Sequence, residues 1–113
     1  MKRFIVVKFE VDGVHSWPEC PIEEVSFLKF PHRHMFHFEA VKEVTHNDRD
    51  VEIIQLKHDM LGHLSAAYYA HSKRTHFFNR MSCEEIAEEL IKKFSLKSCK
   101  VLEDNENGAY LEA

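Results

Sequence analysis

The sequence predicts an α+β fold on three observations. Two N-terminal stretches alternate apolar and polar residues with period two, and two central stretches repeat apolar residues every three or four positions. A closing pair of short alternating segments flanks an Asn-rich turn, so the element order reads ββααββ.

The first strand, residues 3 to 11, places Ile5, Val7, Phe9 and Val11 on one side and Lys8 and Glu10 on the other, and ends near the turn signal Asp12-Gly13. Ser16-Trp17-Pro18-Glu19-Cys20-Pro21 cannot hold a regular ladder, because each proline lacks a donor and restricts its predecessor; it reads as a loop leading toward Pro31. From His32 to Val44 a long second strand puts His32, His34, Phe36, Phe38 and Ala40 on one face and His37, Glu39, Val41 and Glu43 on the other. The polar run from His46 to Asp50 then turns the chain.

Ile53, Leu56, Met60, Leu64 and Ala67 form the stripe of a first amphipathic helix, which Gly62 weakens by about 1 kcal/mol without ending it. Ser82-Cys83-Glu84-Glu85 is a capping box that opens the second, with Ile86, Ala87, Leu90, Ile91 and Phe94 on one face. Cys99, Val101 and Glu103 alternate before Asn105-Glu106-Asn107-Gly108, and Ala109-Tyr110-Leu111 returns as a hairpin. With no repeat, linker or low-complexity segment, residues 1–113 read as one domain.

Composition narrows the function. At 113 residues and 44% apolar, with nine phenylalanines, the chain can bury one modest core. No apolar run approaches the roughly 18 residues of a membrane span, and the N-terminus alternates with charge too early for a signal peptide, so a soluble cytoplasmic protein is expected. Cys20, Cys83 and Cys99 contain no C-x-x-C pair and suggest neither a disulfide framework nor a thiolate zinc cluster. A formal charge of −4 with no Lys/Arg stripe gives no footprint for nucleic acid.

Nine histidines are the compositional anomaly. His32-x-His34 on a strand projects two imidazoles to the same face, and His15 can complete a His₃ set that leaves one position of a zinc tetrahedron open. The alternative is that these side chains decorate a half-exposed sheet in a metal-free structural or interaction module. His37, His46, His58, His63 and His76 read as surface or packing residues, and Cys83 and Cys99 as small core residues. Trp17 and Phe30 either wall a pocket or close the core.

Four segments, in order, resemble one family. His32-Arg33-His34-Met35-Phe36 is similar to a His-Gly-His-Asn-Tyr segment, and Val51-Glu52-Ile53-Ile54-Gln55-Leu56-Lys57 to an Ile-Asp-Phe-x-x-Leu-Lys helix entry. Ser82-Cys83-Glu84-Glu85-Ile86-Ala87 is similar to Thr-x-Glu-Asn-Leu-Ala, and Val101-Leu102-Glu103-Asp104 to Val-x-x-Glu-Thr. These motifs belong to the 6-pyruvoyltetrahydropterin synthase and 6-carboxytetrahydropterin synthase group of T-fold proteins, which the chain resembles over nearly its whole length.

The resemblance implies an antiparallel four-stranded sheet packed on two helices and closed into a barrel as a homotrimer or homohexamer. It also implies zinc held by His15, His32 and His34, and Glu103 anchoring a pterin- or purine-like ring through paired N–H donors. The implied activity is a lyase eliminating triphosphate from a dihydroneopterin triphosphate-type substrate; the alternative is a non-catalytic protein that binds or sequesters such a ring. Departures bear on catalysis. The family's cysteine ahead of its His-Gly-His is absent; His71, which resembles the histidine of its His-Asp relay but is preceded by Ala70, and a displaced Cys20 are the candidate catalytic bases; and the glycine between the metal histidines is Arg33.

Overall fold

The computed structural model describes residues 1–113. Alternation carries the first two strands across the full stretch available to them. β1 (Arg3–His15) and β2 (His32–Val44) are 13 residues each and pair antiparallel without interruption from Arg3 opposite Val44 to His15 opposite His32. Asp12-Gly13 therefore does not end β1, as the turn signal suggested. Gly13 is a space requirement instead: a Cβ there would lie 2.5 Å from the Phe78 ring and 3.0 Å from that of Phe36.

Between these strands the proline-bearing loop leads into a short 3₁₀ segment, Glu23–Lys29. After β2 come α1 (Ile53–Tyr68), the brief strand β3 (Tyr69–Ala70), β4 (Thr75–Asn79), α2 (Cys83–Phe94), β5 (Ser98–Glu103) and β6 (Asn107–Glu112). The sheet order is β3-β4-β1-β2-β5-β6. The α+β class holds, whereas the expected four-stranded antiparallel sheet is corrected to a six-stranded mixed one. The four anticipated strands form its antiparallel part, and a β3–β4 hairpin adds to the β1 edge with β4 parallel to β1. Thr75-His76-Phe77-Phe78-Asn79 gave too short a pattern to read alone. It pairs because Thr75, His76 and Phe78 bury their side chains and because it covers the open edge of β1 beside His15.

Both helices lie on one side of the sheet, α1 over β1 and β4 and α2 over β5 and β6. Val7, Phe9, Val11, Phe36, Phe38, Ala40, Cys99 and Val101 on the sheet meet Leu56, Met60, Leu64, Ile86 and Leu90 on the helices in one apolar core. The α1 stripe is shorter than its period suggests, since Ile53 and Ala67 are exposed at its two ends. The capping box of α2 is formed: the Glu85 N–H donates to the Ser82 hydroxyl at 3.1 Å and the Ser82 N–H to the Glu85 carboxylate at 3.0 Å. No helix is long and apolar enough to cross a membrane.

The last hairpin turns at residues 104–106 rather than 105–108, with Asp104 and Asn105 both in the left-handed region at φ 55° and 57°. Gly108 lies in β6, where a Cβ would come within 1.9 Å of the Val101 carbonyl oxygen.

Candidate metal centre

The inward face of the sheet changes character along its strands. On β2 it runs Ala40, Phe38, Phe36 and then His34 and His32; on β1 it runs Val7, Phe9, Val11, Gly13 and then His15; on β5 it runs Cys99, Val101 and then Glu103. Period two alone therefore gathers the polar ends of three neighbouring strands on one face. His15 lies directly opposite His32, His34 opposite Gly13, and Glu103 opposite Phe36.

The imidazole centroids are 4.6 Å apart for His15 and His32, 5.5 Å for His15 and His34, and 5.0 Å for His32 and His34. One ligand atom from each of His15, His32, His34 and Glu103 can be chosen so that all lie within 4.8 Å of one another. The Phe36 ring forms the floor, edge-on to His15 at 5.1 Å and to His34 at 5.8 Å.

Each ring is held by its outer nitrogen. Nδ1 of His15 is 2.8 Å from the Met81 carbonyl oxygen, Nδ1 of His32 is 2.9 Å from that of Phe30, and Nδ1 of His34 is 2.8 Å from Asp104 Oδ2. These oxygens only accept, so Nδ1 carries the proton and, in the neutral ring, Nε2 turns a lone pair inward, the usual way a ligating imidazole is oriented. Nε2 of both His15 and His34 is buried with no hydrogen-bond partner. Glu103 Oε2 approaches His15 Nε2 at 2.8 Å and Oε1 approaches His34 Nε2 at 3.6 Å, as charge contacts that do not meet hydrogen-bond geometry. Imidazole nitrogens with a carboxylate are a donor set suited to zinc, so the residues present fit a divalent metal.

The charges of the cluster act on one another. Burial alone would pull the His15 imidazole down, but the Glu103 carboxylate and the Met81 carbonyl together raise it. His32 is lowered by burial and by the charges of His15 and His34, against the opposing Phe30 carbonyl. Glu103 is held below the ordinary carboxylate range by His15 first, against burial, with His34 adding to the effect.

Asp104 fastens one ligand to the sheet. Its N–H donates to the Met35 carbonyl at 2.8 Å, its Oδ1 accepts from the Met35 N–H at 3.0 Å, and its Oδ2 holds His34. Asparagine tolerates the same left-handed backbone but has one acceptor oxygen where the carboxylate has two. Asp104→Asn is expected to weaken metal binding by about 10–100-fold with little change in thermal midpoint, measured by competition against a chromophoric chelator.

A cleft of about 870 Å³ opens beside the cluster, with His15, His32 and Glu103 at its base and Trp17, Arg80 and the first turn of α2 on its walls. Cys83, expected in the core, is buried but also lines this cleft, 3.8 Å from Glu103 Oε2; burial pushes its thiol up to about 12. The two candidate catalytic groups lie elsewhere. Cys20 is buried in its own loop, its thiol facing the Ile22 and Val25 carbonyls at 3.6 and 3.7 Å, and His71 is exposed in the β3–β4 turn against Tyr69. Neither lines the cleft. Arg33 points to the far face of β2, where it pairs with Asp12 at 2.8 Å and leaves the ligands clear.

Sequence reasoning missed the backbone carbonyls of Phe30 and Met81, which carry no residue signature, and Asp104. An acid at the end of a strand beside a candidate ligand was the available sign for Asp104.

No protein-family model matches the chain, and no curated protein matches it as a relative.

Proposed function

We propose that the protein is a zinc-binding, T-fold-type protein whose cleft takes a pterin- or purine-like ring without eliminating phosphate. The observation that carries this reading is the convergence of His15, His32 and His34 in one cluster, with His15 and His32 opening onto a ligand-sized cleft and with Nε2 of His15 and of His34 buried and without a hydrogen-bond partner. Bound there, zinc would supply Lewis-acid polarisation of a ligand oxygen. The chain's own groups do the rest. Trp17 offers an aromatic wall, Glu103 offers acceptor oxygens for ring N–H donors, and the buried core below excludes water from one side.

Two observations weigh against the triphosphate-eliminating lyase that the resemblance implies. The cleft carries Glu19, Glu84, Glu85 and Glu103 against a single Arg80, and Arg80 is already paired with Glu19. Such a lining repels a triphosphate. The second observation is the position of Cys20 and His71 outside the cleft, so neither is within hydrogen-bond reach of a ligand proton there. The reading includes a homotrimer or homohexamer, supported by Ile22, Phe27 and Phe30, which leave apolar surface exposed around the loop that carries them.

The test is calorimetric titration of the zinc-loaded protein with pterin and with guanine, beside an assay of triphosphate release from dihydroneopterin triphosphate. Ring binding without release is expected. Catalytic release would overturn this reading in favour of the lyase.

A further inference from the structure

We infer that Glu103 is the fourth protein ligand of the metal, closing in the ligand-free protein a site that three histidines alone would leave open. The inference rests on the metal reading above and departs from the ring-anchoring role that the resemblance gives this residue.

The geometry is specific. Metal–ligand lengths of about 2.0–2.2 Å in a tetrahedron separate the donor atoms by about 3.3–3.6 Å. Glu103 Oε1 lies at that separation from His34 Nε2, 3.6 Å, and Oε2 lies inside it from His15 Nε2, 2.8 Å, so the carboxylate already faces both inward nitrogens and a bound ion would widen only the shorter contact. Both contacts are to the inward nitrogens, the atoms whose outer partners on each ring are already taken by Met81 and Asp104. Sheet register enforces the approach: Glu103 sits opposite Phe36, on the same face as His34 and one step further into the core. The Cys83 thiol donates to Oε2 at 3.8 Å and so steadies the carboxylate. Each of the four side chains thus has an outer-shell partner, the pattern of a preorganised metal site.

Closure has a chemical consequence. A carboxylate engaged on the metal cannot at the same time present both oxygens to paired N–H donors. A ring that took both oxygens of Glu103 would therefore have to displace the carboxylate from a bound metal.

Cobalt(II) titration of metal-free wild-type protein and of Glu103→Gln tests the inference, reading both affinity and visible absorption. Glutamine keeps the size and removes the charge. The wild type is expected to show the intense bands of a four-coordinate ion. The variant is expected to bind cobalt at least about 100-fold more weakly, because losing a ligand costs more than the 10–100-fold typical of an outer-shell partner, and to show a changed spectrum. Unchanged affinity and spectrum in a folded Glu103→Gln would overturn the role of Glu103 while leaving a His₃ site standing. No cobalt binding by the wild type would overturn both the inference and the metal reading beneath it. Should Glu103→Gln fail to fold, Glu103→Asp, which retains the charge but shortens the reach, is expected to weaken cobalt binding; unaltered binding there would count against the inference.

Discussion

Stripping metal from the purified protein is expected to lower its thermal midpoint by on the order of 10 °C, and returning zinc should restore it. Any ligand that binds only the folded state stabilises it by RT ln(1 + [L]/Kd), about 2.7 kcal/mol at 100 times Kd. For a chain of this length each kcal/mol moves the midpoint by several degrees. The structure adds a reason for the effect to be local as well as thermodynamic. Without the ion, His15 and His34 keep buried ring nitrogens that lack hydrogen-bond partners at the junction of β1, β2 and β5. In a His32→Ala, His34→Ala double variant the chelator and zinc should no longer change the melting curve, as followed by differential scanning calorimetry. A melt in the wild type that ignores both reagents would contradict the prediction.

Phe36→Ala is expected to cost about 3–5 kcal/mol, a large part of the 5–15 kcal/mol by which native domains are usually stable. Phe36 is fully buried and its ring packs on Phe78 at 5.1 Å, so truncation leaves a cavity at the centre of the helix-covered face. The same ring is the floor beneath His15 and His34. Denaturant unfolding should therefore show the stability loss, and metal affinity measured well below the unfolding midpoint should fall as well. Phe36→Leu, which retains most of the volume, should lose less of both. Full metal affinity in a folded Phe36→Ala would mean that the ring supports the core without ordering the site.

Much of this arrangement was legible in the residues. Period-two alternation in Arg3–Val11 and His32–Val44 identified the two long strands and put His32, His34 and Phe36 on one face. The Ser82–Glu85 capping box located the start of α2 to the residue. What stayed hidden was non-local. The pairing of β4 with β1 depends on tertiary burial of Thr75, His76 and Phe78, and Gly13 looked like a turn residue because its real constraint, the Phe78 ring, lies 65 positions away in the chain. The site divided along the same line. The three histidines could be proposed from spacing and resemblance, and Glu103 from resemblance. That Glu103 meets the inward nitrogens, that Asp104 holds His34, and that Cys83 rather than Cys20 borders the cleft all depend on the register of β2 against β5 and on where α2 begins.

The measurement that bears most directly on the central claim is elemental analysis of metal per chain in the protein as purified, with the His32→Ala, His34→Ala variant prepared identically. About one zinc per chain is expected in the wild type and none in the variant. Wild-type protein that carries no metal, and takes up none when dialysed against zinc, would contradict it.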